Sequence, residues 1–255
     1  MTYGIIGVGA IGGAIVTGLC EGVPDAPSVV LSPRNATRAA DLAARFRTVR
    51  IAKTNQEVID AASVVLLCIR PQEARAVLPG LKFSSDQAVV SMMAGIPIET
   101  LQQLVAPAQS VARAIPLPAV ATREGATPIF PTTAAAKTLF GRLGCSIEIP
   151  NEVALEATSA STATVSAHFA YLNAICRWLV AQGVAEAAAR RQVAATFAGL
   201  AAQLHDEAPD FAELARDHAT RGGINEQFLG VLEQARVFDV VSNGLDGVLA
   251  RLTRR

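Results

Sequence analysis

The hydrophobic pattern of this 255-residue chain changes character a little past its middle. Up to about Pro150, short apolar runs alternate with stretches of helical spacing. The runs "YGIIG" (Tyr3–Gly7), "SVVL" (Ser28–Leu31), "SVVLLCI" (Ser63–Ile69) and "AVVSMM" (Ala88–Met93) are predicted strands. So are "SVARAI" (Ser110–Ile115), "ATPIF" (Ala126–Phe130) and "CSIEI" (Cys145–Ile149). Several lack polar alternation, the pattern of parallel strands covered on both faces. Between the runs, Ile11–Cys20, Ala36–Phe46, Asn55–Ala61, Gln72–Leu78 and Ile98–Val105 read as helices. Strand–helix alternation of this kind predicts an α/β fold around an open, doubly wound sheet.

From Val153 onward no strand is predicted, only helical periodicity broken at Gly183, Pro209, Gly222–Gly223 and Gly244. The expectation is a first domain over 1–150 and an all-α domain over 151–255, abutting without a low-complexity linker. Ala157–Cys176 carries no formal charge apart from a protonated His168. Ser159, Ser161, Thr162, Thr164, Ser166 and Asn173 make it too polar to face lipid. A helix covered by protein on most sides fits better. About 100 residues of helix can hardly enclose it alone, so a homodimer through this half is expected, with a higher oligomer as the alternative.

Composition narrows the partners. Lysine plus arginine and aspartate plus glutamate number 22 each, and no basic block stands out, so neither nucleic acid nor an anionic membrane is expected to bind. Cys20, Cys68, Cys145 and Cys176 are widely separated, without metal-like spacing. Cys68 lies in an apolar run and reads as a reduced, buried thiol, no metal site is expected, and the location expected is cytoplasmic. The opening "MTYGIIGVG" has no charged leader region, so nothing argues for export.

That opening carries the first chemistry. Gly7-Val8-Gly9-Ala10-Ile11-Gly12 is a G-x-G-x-x-G placed after a strand and opening a helix. The first glycine permits the tight turn, the second lets backbone approach a pyrophosphate, and the third lets helix pack on strand. The helix N-terminus then offers amides to the anion. In this context the motif predicts a Rossmann-type dinucleotide site; a bare structural turn is the alternative. At the end of the second strand an NAD site would carry an acid for the ribose 2′-hydroxyl. Here "LSPRN" supplies Ser32, Arg34 and Asn35, with no acid before Asp41. An arginine with polar neighbours suits a 2′-phosphate, so NADPH is expected in preference to NADH. "CIRPQ" places Ile69, Arg70 and Pro71 at a strand end facing the same crevice, and "MMAGI" places Ala94 and Gly95 near the nicotinamide end. Asn55 completes the expected cofactor set.

Together these stretches resemble the pyrroline-5-carboxylate reductase family. "GIIGVGAIGGAIVTGL" is similar to the family's opening, "CIRPQ" to its "(V/I)(K/R)PQ", "SMMAGI" to its "S-x-x-A-G-I" and "REGATPIF" to its "xEGxTxx". "ATRGGINEQFLGVLEQ" resembles its "TxPGGTTxxGLxxLE". The resemblance runs in order along nearly the whole chain. It implies a Rossmann domain followed by a helical domain that interlocks with a partner subunit. It also implies NAD(P)H reduction of a cyclic imine at a site formed at the dimer interface.

The substrate half departs from the family. Its "MPNTP" corresponds to Ile115-Pro116-Leu117-Pro118, without the asparagine and threonine. Its "SGSGPAY", whose amides hold the substrate carboxylate, falls within Thr162–Tyr171, where the glycines and proline are gone and serine and threonine remain. Its "GGTT" becomes Gly222-Gly223-Ile224-Asn225, so Asn225 stands where a threonine would bond the imine nitrogen. Hydride delivery to C=N leaves a nitrogen that needs a proton. An asparagine amide donates a hydrogen bond but no proton at neutral pH, whereas His168 can supply one. His168, Asn225 and Tyr171 are therefore the catalytic candidates, with a core role as the first reading of a lone histidine or tyrosine on such a helix. Thr164, Ser166, Thr220, Gly222 and Gly223 are the substrate-binding candidates, with a plain interhelical turn as the alternative at the glycines.

The expected function is NADPH-dependent reduction of pyrroline-5-carboxylate to proline or of a related imino acid. Alternatives are a reductase of another imine or carbonyl, and a non-catalytic NADP-binding dimeric regulator. A hydroxy-acid dehydrogenase would place a catalytic lysine on the helix entering the second domain; Val153–Cys176 has none, and the last lysine is Lys137.

Overall fold

The computed structural model describes residues 1–201, 203–204 and 210–254. Residues 1–159, joined by those from Leu252 on, form one compact unit, and Ala160–Arg251 form a second. The first unit holds eight strands: β1 (Thr2–Ile6), β2 (Ser28–Leu31), β3 (Val49–Ile51), β4 (Val64–Leu67), β5 (Ala88–Ser91), β6 (Ser110–Ala114), β7 (Gly125–Phe130) and β8 (Gly144–Glu148). They form one sheet in the order β3-β2-β1-β4-β5-β6-β7-β8. Every pairing is parallel except β6 with β7. The chain winds outward from β1 in both directions, so the strand order reverses between β1 and β4. Ligands of such sheets bind beyond the strand carboxyl ends at that point.

Helices cover both faces. On one side lie α1 (Ala10–Cys20) and α2 (Ala36–Arg45); on the other lie α3 (Asn55–Asp60), α4 (Pro71–Val77) and α5 (Ile98–Leu104), and α6 (Ala134–Gly141) returns to the first. Tyr3, Ile5, Val64 and Leu66 pack with Ile15, Leu19, Leu42 and Phe140 on the first face. Ile6, Val65 and Leu67 pack with Val58, Ala74 and Leu101 on the second. Both faces of β4 are therefore dry, which is why its sequence shows no polar alternation.

The strands and helices foreseen before Pro150 lie within two residues of their expected bounds. Two elements are additional to those expected: β3, a three-residue edge strand with Arg50 and Ile51 exposed, and α6, an alanine-rich helix capped by Thr133. Arg113 of β6 is 1% exposed yet charged. Its guanidinium is paired with Glu152 at 2.8 Å and Glu156 at 2.6 Å, and Glu152 also accepts from the backbone N–H of Ile98 at 2.7 Å. Those acids belong to α7 (Glu152–Ser161), which is thereby anchored to the sheet.

The second unit is helical: α8 (Thr164–Ala181), α9 (Glu186–Ala201), α10 (Phe211–His218), α11 (Ile224–Gln234) and α12 (Val237–Thr253, its last residues in the first unit). The chain turns at Gly183 and at Gly222–Gly223 as expected. Two expectations need correction. Ala157–Cys176 is not one helix, because α7 ends at Ser161 and α8 begins at Thr164. Gly244 does not break α12, since an interior glycine costs only about 1 kcal/mol and seven residues of helix precede it and nine follow. The break expected at Pro209 lies outside the described residues. Among the described residues of this unit only Ala160, Ala189 and Val193 are buried hydrophobics, while Phe169, Trp178, Phe211, Ile224 and Val240 are more than 60% exposed.

Candidate functional site

The glycine turn forms the floor of a cleft beyond β1, β2 and β4, lined by Gly7, Val8, Gly9, Arg34, Asn35, Ala36, Thr37, Cys68, Ile69, Arg70 and Glu73, with a volume of about 530 Å³. Its three glycines serve different ends. Gly7 has φ +99°, and a Cβ there would lie 2.7 Å from the Cys68 carbonyl. A Cβ on Gly12 would come within 2.5 Å of the Gly7 carbonyl oxygen, so this residue sets how closely α1 meets β1. Gly9 is the N-cap of α1, and a Cβ on it would meet nothing within 4 Å. Two glycines are thus filled in by protein, while the middle one faces open space. No side chain caps α1 at Gly9, which leaves its first amides and its positive dipole end directed at the cleft. Residues and shape fit a dinucleotide pyrophosphate.

Of three further residues expected to touch the cofactor, Ser32, Asn35 and Asn55, only Asn35 lines the cleft. Ser32 is 1% exposed, and its hydroxyl accepts the Gly7 N–H at 3.0 Å, so it braces the turn from behind. Asn35 lines the cleft, but its amide donates to the Val8 carbonyl at 2.9 Å and its oxygen accepts from Arg38 as the cap of α2. Asn55 opens α3 and does not line the cleft. Pro71 and Gly95 line a neighbouring cleft of about 340 Å³ with Thr100 and Leu104, while Gly95 takes φ +72° in the turn after β5 that begins near Ala94. Ala10 and Ile11 are the first residues of α1.

Arg34 and Arg70, expected from the sequence, converge on a residue that was not. Glu73 Oε2 receives Arg34 Nη1 at 2.8 Å; Oε1 receives Arg34 Nη2 at 2.9 Å and Arg70 Nη2 at 2.6 Å. The bonds from Arg70, then those from Arg34, hold the Glu73 carboxyl below the usual carboxylate range. A helical spacing of three from Arg70 was the available sequence signal. At the end of β4, burial pushes the Cys68 thiol up to about 12. The residue as a whole is only half-buried, because its backbone borders the cleft.

In the second unit the candidates fall into two groups. His168 and Tyr171 lie on α8, where both rings meet Phe197 edge-on, at centroid distances of 6.2 and 5.9 Å. Both are exposed in the single chain. Thr164 and Ser166 lie exposed in the first turn of the same helix, and the Thr164 hydroxyl donates to the Ser161 carbonyl at 2.8 Å. The second group is the loop from α10 to α11. Gly222 has φ +75°, its N–H donates to Glu226 at 2.6 Å, and Gly223 caps α11. A Cβ on Gly223 would sit 2.6 Å from the Thr220 hydroxyl. Asn225 donates from Nδ2 to the His218 carbonyl at 3.1 Å, within its own loop, and the bond recorded for it does not lead to His168 or Tyr171.

Residues 2–95 match the family model of NADP oxidoreductase, coenzyme F420-dependent, and residues 152–254 match that of pyrroline-5-carboxylate reductase dimerisation. Pyrroline-5-carboxylate reductase of Haemophilus influenzae is 28% identical over 96% of this chain and 94% of its own length. The chain belongs to the pyrroline-5-carboxylate reductase family. It is accordingly an NAD(P)H-dependent oxidoreductase of the class that acts on C=N bonds, and it binds a nicotinamide cofactor. Solved structures agree in fold. A 1-pyrroline-5-carboxylate reductase from Streptococcus pyogenes superposes with a TM-score of 0.85 at 23% identity, covering 99% of this chain and 98% of that one. The Plasmodium falciparum pyrroline carboxylate reductase, solved with NADP bound, gives 0.82 at 17% identity over 99% and 97%. Among the described residues no helix is long and apolar enough to cross a membrane.

Proposed function

We propose that this protein reduces pyrroline-5-carboxylate, or a closely related cyclic imino acid, with NADPH as the preferred donor. The observation that carries the reading is the cleft at the β1/β4 reversal, where an open Gly9 and an uncapped helix N-terminus lie beside two arginines. We assign residues 1–150 to cofactor binding and 151–255 to substrate binding and dimerisation. Gly7, Gly9 and Gly12, with Val8, Ala10 and Ile11, shape the pyrophosphate seat. Arg34 receives the 2′-phosphate with Arg70 beside it, and Ile69, Pro71, Ala94 and Gly95 border the path to the nicotinamide end.

The bound nicotinamide supplies the hydride. The protein must orient the imine, hold its carboxylate and deliver one proton to the nitrogen as its bond to carbon becomes single. Gly222, Gly223 and Thr220, with Thr164 and Ser166, hold the carboxylate. The Asn225 amide releases the His218 carbonyl and donates to the imine nitrogen. His168 supplies the proton, with Tyr171 beside it on α8. The apolar side chains left exposed on α8, α11 and α12 are covered by a second copy of the chain, which forms a homodimer in the cytoplasm.

The test is NADPH oxidation in the presence of pyrroline-5-carboxylate and a panel of other cyclic imines. Turnover is expected, and Arg34→Ala should raise the KM for NADPH about tenfold while leaving that for NADH unchanged. A second reading, reduction of a different imine, draws on one observation: Asn225 replaces a family threonine and bonds within its own loop. In that case another imine of the panel turns over faster. Tight NADPH binding without turnover of any imine would overturn both and leave a cofactor-binding regulator.

A further inference from the structure

The cluster of Arg34, Arg70 and Glu73 is not what a site built only for a phosphate would hold. Arg34 follows β2 and Arg70 follows β4, and their side chains are 67% and 78% exposed. Glu73, the third residue of α4, is much less exposed at 20% and grips Arg34 through both carboxylate oxygens. Its second bond to Arg70, from Nε at 3.2 Å, completes a bridge across the cleft mouth. Both outer nitrogens of Arg34 are therefore taken, and the three side chains together carry one positive charge instead of two.

A bidentate guanidinium–carboxylate pair satisfies the same fork geometry that a phosphate would use. An incoming 2′-phosphate must displace the Glu73 carboxylate from Arg34 or share the guanidinium with it, at close range to a like charge. A ribose 2′-hydroxyl meets the opposite situation. It is a donor, and Glu73 is an ionised acceptor already in place. We infer that Glu73 sets cofactor specificity: it competes with the 2′-phosphate for Arg34 and offers an acceptor to the 2′-hydroxyl, so the enzyme keeps the use of NADH beside NADPH. The inference rests on the reading of this cleft as the dinucleotide site. The depressed proton affinity of Glu73 agrees with it, because the carboxylate stays charged throughout the neutral range.

Glu73→Gln keeps the size and an acceptor oxygen while removing the competing charge. Dissociation constants of wild type and variant for NADPH, NADH and adenosine 2′,5′-bisphosphate, read by fluorescence and calorimetry, test the assignment without any turnover. Affinity for NADPH and for the bisphosphate should rise five- to tenfold, and affinity for NADH should fall or stay level. The NADPH gain should also shrink with added salt, as a net charge of the cluster implies. In an Arg34→Ala background the NADPH gain should shrink to twofold or less, since only the Arg70 guanidinium remains to be released. An NADPH-to-NADH preference unchanged within twofold would overturn the inference. So would weaker NADPH binding by Glu73→Gln, which would mean that Glu73 merely positions Arg34. Wild-type protein that bound neither dinucleotide would overturn the reading of the cleft as well, so the two failures are distinguishable.

Discussion

Gly9→Ala separates binding from folding more cleanly than any other change at the glycine turn. The backbone of Gly9 is extended, with φ −86° and ψ −158°, which alanine adopts without strain. The added Cβ meets nothing within 4 Å, so no packing is disturbed. Alanine is a poorer N-cap than glycine by several tenths of a kcal/mol, while its less flexible unfolded chain returns about as much. Stability should therefore change by less than about 0.5 kcal/mol, or roughly 1–2 °C in Tm for a chain of this length. The methyl group does occupy the space through which a pyrophosphate must reach the α1 amides. Loss of one charge-assisted hydrogen bond costs about 1.5–3 kcal/mol, which weakens NADPH binding about 10- to 150-fold. Gly12→Ala is the contrast, because its Cβ would sit 2.5 Å from a backbone oxygen; overpacking of that kind costs about 1–3 kcal/mol and should lower Tm by several degrees. Titration by nicotinamide fluorescence beside a thermal melt reads both quantities. Gly9→Ala protein that bound NADPH like wild type, or that melted far below it, would refute the reasoning.

Three further outcomes follow from individual residues. Arg113→Ala strands Glu152 and Glu156 as uncompensated partly buried acids and should cost about 3–5 kcal/mol, seen as a Tm about 10 °C lower; a near-normal melt would remove the bridge as an anchor of α7. Because its raised pKa keeps Cys68 a neutral thiol across the physiological range and ionisation begins only toward about pH 12, iodoacetamide at neutral pH should modify the exposed Cys145 first and spare Cys68, as read by peptide mass spectrometry. Trp178→Glu places a charge on an apolar surface that is 62% exposed in the single chain, so it should shift the protein toward monomer in light scattering without unfolding α8; an unaltered mass would place the subunit contact elsewhere.

Much of the first unit could be read because its signals are local. A glycine triplet after an apolar run needs no distant partner to be recognised, and neither does the dry β4, whose burial on both faces removes the usual alternation. The edge strand β3 escaped because three residues with two of them exposed carry no pattern. The roles of Ser32 and Asn35 escaped for another reason. Their polar groups look available in the sequence, but folding turns them onto the backbone of Gly7 and Val8. Glu73 shows the same limit most sharply, since its partner Arg34 lies 39 residues away and only the sheet order brings β2 and β4 to either side of β1. In the second unit the charge-free stretch brings Val165, Phe169 and Tyr171 to the surface of the single chain, where a covered helix was expected. The break between α7 and α8 had no glycine or proline to mark it, whereas Gly244 marked a break that α12 does not make.

On the function proposed above, this protein passes a hydride from NADPH to the carbon of an imine. The most direct measurement uses NADPH carrying deuterium at the transferable position of the nicotinamide, incubated with pyrroline-5-carboxylate and the purified protein. One deuterium per molecule of proline, bound to the former imine carbon, is the predicted result in mass spectra. Tight NADPH binding with no label in proline, or in the product of any other cyclic imine tried, would contradict it.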